Sequence, residues 1–233
     1  MGEESRQPGS RHFAENHAHQ YDFAVAGEPT ALEAVYCTKG CLWATVKATG
    51  KATHASQPHL GENAILKLLR ELQGLEGSFL KYLSGFQHPV LDQSTMNVGM
   101  ISGGTRANIV PAQATATLDI RTVPALVSDE TASDILKRYL TDVELIHSAE
   151  SPPMAMPPDH PWLMKLKEIH SNLKFVGAPW FSDAAHLSAA GIPSICLGPG
   201  SIDQAHTADE FIQISDLEDG AAWFTKMIAG LES

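Results

Sequence analysis

Cysteine is scarce in this sequence, and its spacing fits neither a disulfide framework nor a zinc finger. Among 233 residues only Cys37, Cys41 and Cys196 are cysteine. Cys37 and Cys41 are four residues apart, but no second Cys or His pair stands near them at zinc-finger spacing. We therefore expect both to be free thiols in or beside a strand.

The sequence also contains few basic residues and no long apolar run. The chain has 16 Lys and Arg against 27 Asp and Glu, a formal net charge of -11. Nucleic-acid and anionic-membrane surfaces are normally met by basic patches, so neither is an expected partner. No apolar run approaches the roughly 20 residues of a membrane span, and the first residues do not resemble a secretory signal. The composition predicts a soluble protein, which we expect in the cytoplasm.

The middle of the chain carries an alternating pattern that predicts a small α+β domain. In residues 41–50, Leu42, Ala44 and Val46 alternate with polar or amphipathic neighbours, as in a half-buried strand. The order strand, helix, strand, strand, helix, strand predicts the ferredoxin-like split βαβ arrangement. The other predicted elements are a helix from Ala64 with Ile65, Leu68, Leu69 and Leu72 on its apolar stripe, strands at 94–104 and 112–121, a helix capped by Ser128, and a strand at 143–149.

The flanking segments have a different character and predict an α/β domain into which the middle is inserted. A proline-rich stretch, residues 151–161, marks the second joint. We expect domain boundaries at 1–37, 38–148 and 149–233, the first and last forming one domain. Its predicted elements are helices near 10–18, 162–170, 184–190 and from Ser215, and strands at 21–27 and 193–198.

Acids and a histidine stand at three places that could bind metal or transfer protons. Glu3 and Glu4 are adjacent, and Glu28 directly follows an apolar strand, where α/β proteins place their ligands. His206 lies beyond a buried strand and a Gly-Pro-Gly loop, and neutral imidazole is a common metal ligand. From the residues alone, a solvated surface pair, a turn residue and a loop histidine remain the simpler interpretations.

The inserted segment holds three further candidates. His54 lies in a small-residue loop before a helix and could stabilise an oxyanion. Asn108 follows a glycine turn, and Arg121 ends an alternating strand, where it could clamp a carboxylate. An incidental loop histidine, a turn amide and a solvated strand end remain open alternatives. His17 and His19 form a rival metal pair, for which we favour simple solvent exposure.

Taken together, the motifs resemble one family. The sequence is similar to acetylornithine deacetylase, succinyl-diaminopimelate desuccinylase, aminoacylase and carboxypeptidase G over essentially its whole length. The combination of the motif around His54 and Asn108 with the block around His206 is the most specific part. The motifs are GEES (2–5), GEPT (27–30), THASQPHLGENAI (53–65), GGTRANIVPAQATATLDIR (103–121) and GIPSICLGPGSIDQAHTADEFI (191–212).

The resemblance implies a fold and a mechanism. The expected fold is a partial α/β catalytic domain of the zinc exopeptidase type with an inserted ferredoxin-like lid that forms a homodimer. Two divalent metal ions are implied, zinc in most members, with cobalt or manganese as alternatives. In this numbering, the resemblance makes Glu3 the general base and Glu4, Glu28 and His206 metal ligands. It makes His54 and Asn108 donors to the tetrahedral intermediate and Arg121 the carboxylate-binding residue.

The same resemblance implies that some ligands lie outside this sequence. Relatives carry a histidine ligand and a bridging aspartate before the Glu-Glu pair, so we expect the chain alone to bind metal weakly and to be inactive. The implied reaction is removal of the acyl group from an N-acyl amino acid. Di- or tripeptide hydrolysis or carboxypeptidase activity, a non-catalytic dimerisation module and an incomplete fragment are the alternatives.

Overall fold

The computed structural model describes residues 7–231, which divide into two compact units. The split unit comprises residues 7–38 and 153–231, and the inserted unit comprises Lys39–Pro152. The helices are α1 (Pro8–His17), α2 (Ala64–Leu83), α3 (Ala132–Lys137), α4 (Pro161–Ile169), α5 (Ala184–Ala189) and α6 (Ile214–Leu231). The strands are β1 (Ala24–Ala26), β2 (Ala34–Thr38), β3 (Gly40–Thr49), β4 (Gln87–His88), β5 (Asp92–Gln93), β6 (Thr95–Gly103), β7 (Gln113–Thr122), β8 (Glu144–Ser151), β9 (Met154–Ala155), β10 (Phe175–Ala178) and β11 (Ser194–Cys196).

The inserted unit has the ferredoxin-like fold that its periodicity predicts. Its main sheet has the order β6-β7-β3-β8, and every neighbouring pair is antiparallel. β3 and β7 pair along ten residues, from Gly40 opposite Thr122 to Thr49 opposite Gln113. The side chains of Ala44, Val46 and Leu118 are fully buried, because alternate residues of each strand face the core.

Helix α2 buries a different stripe from the one predicted. Leu68, Leu75, Phe79 and Leu83 are almost completely buried, whereas Leu69 is 46% exposed. The buried positions follow one another at intervals of seven or four residues, which keeps them on one helical face. The prediction that Leu69 belongs to the buried stripe was therefore wrong, and α2 keeps some apolar surface outside the core.

Helix α3 begins later than predicted. The expected cap, Ser128, instead follows a 3-10 turn at Pro124–Val127. Thr131 is the actual N-cap, and its hydroxyl accepts a hydrogen bond from the amide of Asp134 at 3.2 Å. The carboxylate of Glu150 accepts from the amide of Ala132 at 2.8 Å, so a side chain from β8 satisfies another amide of the first turn.

The split unit is built on a mixed sheet of short strands. β1 pairs with β11 and β2 with β10, both in parallel, while β2 is antiparallel to β9 and meets β11 at one antiparallel pair. Ala34, Leu163, Leu166 and Ile195 are fully buried in its core. The predicted helices and both predicted strands are present, although the strand expected at 21–27 contains only Ala24–Ala26.

Strand β2 is absent from the sequence-based interpretation. Four of its five residues are buried, so the strand shows no alternation that would distinguish it from other apolar segments. Among residues 7–231, no helix has the length and apolar character needed to cross a membrane.

Candidate functional site

The turn after Glu28 has a strained backbone. Ala31 and Leu32 both have positive φ, 52° and 59°, in the left-handed region that disfavours side chains. The amides of Thr30 and Leu32 donate to the carbonyl of Gly198 at 3.2 and 2.9 Å, which holds the turn in place. Such strain persists only where the surroundings enforce it, and it clusters at functional sites.

Gly198 allows this turn to lie against the loop that contains His206. A Cβ atom on Gly198 would lie 2.6 Å from the carbonyl oxygen of Glu28 and 3.4 Å from its nitrogen. Only glycine permits so close a backbone approach. Gly198 therefore sets the position of Glu28. The Gly-Pro-Gly sequence signalled a turn, but this contact depends on the fold.

His206 lies in a segment that lines a cavity together with Glu28. The cavity has a volume of about 510 Å³, and Glu28, Gln204, Ala205 and Glu210 are part of its wall. His206 is exposed, has a φ of 61°, and its amide donates to Oε2 of Glu210 at 3.3 Å. The structure thus brings the His206 loop and Glu28 to the same part of the split unit.

The described residues do not by themselves fit a metal ion. A zinc site needs three or four protein donors, and residues 7–231 contain no group of three or more His, Cys, Asp or Glu side chains that could hold one. Glu3, the predicted base, and Glu4, a predicted ligand, lie outside the described residues. Glu28 and His206 are consequently two candidate donors and not a complete site.

In the inserted unit the chain brings His54 to Asn108. The amide of Ala55 donates to the carbonyl of Asn108 at 3.0 Å, and the amide of Val110 donates to the carbonyl of Thr53 at 2.8 Å. His54 forms an isolated antiparallel bridge with Ile109 between these two bonds. Two potential hydrogen-bond donors, an imidazole and an amide, are therefore carried by paired backbone segments.

Arg121 is already engaged by a neighbouring carboxylate. Its Nε and Nη2 donate to Oδ1 and Oδ2 of Asp119 at 2.7 and 2.9 Å, and Nε1 of Trp43 donates to Oδ2 at 3.0 Å. Asp119 and Arg121 are two apart on β7, so both side chains lie on the face opposite the core. Asp119 was missed as a partner of Arg121, although period-two spacing was a usable signal.

His186 is a buried histidine that the sequence-based interpretation did not single out. It lies on α5, and its Nε2 lies 2.9 Å from Oε1 of Gln7 and 3.4 Å from Nε of Arg11. Burial lowers the pKa of His186 to about 4. The positive charge of Arg11 adds to this effect, whereas the charge of Asp183 opposes it.

We expect this histidine to make the split unit sensitive to acid. Unfolded histidine binds its proton near pH 6.5, so between about pH 6.5 and 4 the unfolded chain binds more protons than the folded one. The contribution of neutral His186 to the free energy of unfolding is therefore complete above pH 6.5 and is lost as the pH falls towards 4. Urea denaturation at several pH values should show a weaker acid dependence in His186→Gln and an unchanged one in the exposed control His12→Gln. Equal acid dependence in all three proteins would contradict the assignment.

The fold defines a class of protein, in which a ferredoxin-like domain is inserted into an α/β domain. Candidate site residues lie in both domains, Glu28 and His206 in the first and His54, Asn108 and Arg121 in the second. Residues 36–143 match the family model described as a peptidase dimerisation domain. Over 228 residues the chain is 33% identical to acetylornithine deacetylase of Proteus mirabilis, covering 93% of this chain and 58% of that protein.

Two solved structures share the fold. Aminopeptidase PepT from Bacillus cereus aligns with a TM-score of 0.76 at 18% identity. The alignment covers 100% of this chain and 63% of the aminopeptidase. An M20 family metallo-carboxypeptidase from Sulfolobus solfataricus aligns with a TM-score of 0.68 at 16% identity. That alignment covers 93% of this chain and 65% of the carboxypeptidase. The inserted unit thus matches a peptidase dimerisation domain, and most of the chain is similar to acetylornithine deacetylases, as its motifs suggest. The chain spans about three fifths of the length of these relatives.

Proposed function

We propose that this chain belongs to a metal-dependent amide hydrolase that removes the acyl group from an N-acyl amino acid. The observation that carries the proposal is the contact of Glu28 with Gly198, because it brings Glu28 to the loop that carries His206, far away in sequence. The 33% identity to an acetylornithine deacetylase supports this substrate class over peptides.

The side chains of the inserted unit suit two roles in such a reaction, stabilisation of the transition state and binding of the substrate carboxylate. Attack on an amide places negative charge on the carbonyl oxygen, and a fixed donor to that oxygen is worth roughly 10²- to 10³-fold in rate. We assign this role to His54 and Asn108, which lie on paired backbone segments. Arg121 would bind the substrate carboxylate, with Asp119 holding the guanidinium in a defined orientation. Glu3 remains the proposed base.

Hydrolysis of N-acetylornithine in the presence of zinc tests this function. Because the chain spans 58% of the Proteus mirabilis enzyme, the assay includes the unmatched part of that enzyme as a separate polypeptide. We expect hydrolysis that is lost in His206→Ala and reduced roughly 10²- to 10³-fold in His54→Ala. His59→Ala is the matched control, since His59 is an exposed histidine of the same loop. A folded mixture without activity, beside an active complete relative, would contradict the proposal.

We also propose that the inserted unit forms a homodimer through β6. β6 is an edge strand, and Val98, Met100 and Ile101 on it are 40%, 69% and 55% exposed. Exposed apolar edge strands favour pairing with another chain. The opposite edge, β8, exposes Ile146 among charged and polar residues. The match to a peptidase dimerisation domain supports self-association.

The double substitution Met100→Lys with Ile101→Lys is expected to convert the dimer into a monomer. Two buried charges without partners at the interface would cost several kcal/mol, roughly 100-fold or more in the dissociation constant. Light scattering after size-exclusion chromatography measures the mass. Ile146→Lys, on the opposite edge, should remain dimeric. A dimer in the double variant, or a monomer in the control alone, would place the interface elsewhere.

A further inference from the structure

The loop that carries His54 is exposed, yet its backbone is held firmly. Lys51 and Glu62 exchange two backbone hydrogen bonds, both of 2.9 Å, which close the base of the loop. At Gly50 a Cβ would lie 2.2 Å from the carbonyl oxygen of Glu62, and at Gly61 it would lie 2.6 Å from Cγ2 of Thr53. The pairing of this loop with residues 108–110 adds further bonds. The imidazole therefore projects from a fixed support.

Ser56 contacts one nitrogen of that imidazole through two groups. The amide of Gln57 donates to the carbonyl of His54 at 2.9 Å, closing a β-turn. Within it, the amide of Ser56 donates to Nδ1 of His54 at 3.2 Å, and the Ser56 hydroxyl lies 2.7 Å from the same atom. An amide N–H can only donate, so Nδ1 must accept. The hydroxyl then donates as well, and the proton of the neutral ring lies on Nε2.

We propose that Ser56 is a positioning residue that holds His54 in the tautomer with a hydrogen on Nε2. This inference rests on the proposed function, in which His54 donates to the oxygen that becomes negatively charged. Nε2 lies on the side of the ring away from Ser56, so its N–H is directed outward from the turn. Such a donor is ready before substrate binds and needs no change of protonation during the reaction.

The direct test is the tautomer itself, measured by long-range ¹H–¹⁵N correlation on the full chain labelled with ¹⁵N. At about pH 9, where imidazole is neutral, we expect His54 to show a protonated Nε2 and a bare Nδ1. Loss of one net hydrogen bond in Ser56→Ala should raise the population of the other tautomer about two- to tenfold. Ser56→Thr, which keeps a hydroxyl, should restore the original ratio. Ser78→Ala removes an exposed hydroxyl that bonds only within α2 and is the matched control.

The outcomes separate this inference from the proposed function. An unchanged tautomer in Ser56→Ala overturns the inference whether or not hydrolysis occurs. Where the mixed polypeptides are active, Ser56→Ala should lower kcat with little change in KM, because the affected bond forms in the transition state. His54→Gln, whose amide nitrogen can occupy the place of Nε2, should retain more activity than His54→Asn. A shifted tautomer with unchanged kcat would overturn the catalytic link, whereas an inactive wild-type mixture would count against the proposed function alone.

Discussion

Replacing Gly198 with alanine is expected to displace Glu28 and to abolish most of the proposed hydrolysis. The new Cβ would lie 2.6 Å from the carbonyl oxygen of Glu28, a backbone atom that cannot rotate away. Forcing an extra carbon into such a contact costs roughly 1–3 kcal/mol in the free energy of unfolding. A shift of about 1 Å in a positioned group can reduce the rate roughly 10²-fold.

Gly27→Ala is the matched control for this substitution. Gly27 immediately precedes Glu28, its φ is not in the left-handed region, and a Cβ there would meet no atom within 4 Å. Urea denaturation measures the stability change, and the zinc-dependent assay with the separate polypeptide measures the rate. We expect losses only in Gly198→Ala. Equal behaviour of the two variants would show that the close approach does not position Glu28.

Replacing Glu71 with alanine is expected to produce the largest loss of stability in the inserted unit. Glu71 is a buried carboxylate on α2. It accepts hydrogen bonds from the amide and hydroxyl of Thr141, both at 2.7 Å, and from the amide of Asp142 at 3.1 Å. Its removal leaves these donors, which lie in the segment before β8, without their acceptor. Bonds to a charged group and buried orphan donors are each worth roughly 1–3 kcal/mol, so we expect about 2–4 kcal/mol in total.

Hydrogen exchange measured by mass spectrometry locates this effect. Amides of β8 and of the segment before it should exchange faster in Glu71→Ala, because local opening precedes global unfolding. Glu76→Ala, an exposed acid on the same helix, is the control and should change the stability by less than about 0.5 kcal/mol. A similar, small loss in both variants would show that the buried carboxylate does not secure this connection.

The contrast between Arg121 and Glu28 shows which part of a site can be predicted from sequence. Arg121 and Asp119 share one strand, and alternation alone places them on one face. Their pairing could have been predicted. The contact of Glu28 with Gly198 could not, because it depends on the meeting of two loops 170 residues apart in sequence and on the space left by a missing Cβ.

The sequence by itself determined the inserted fold, most of the helices and the resemblance to acetylornithine deacetylases. Alternation in β3 and β7 records which side of each strand faces the core, and that information is local. Only the tertiary structure decided the partners of β2, the strained turn after Glu28, and the pairing of the His54 segment with the Asn108 segment. These features arise from hydrogen bonds and close contacts between distant segments. A local pattern cannot encode them, since their geometry exists only once the chain has closed on itself.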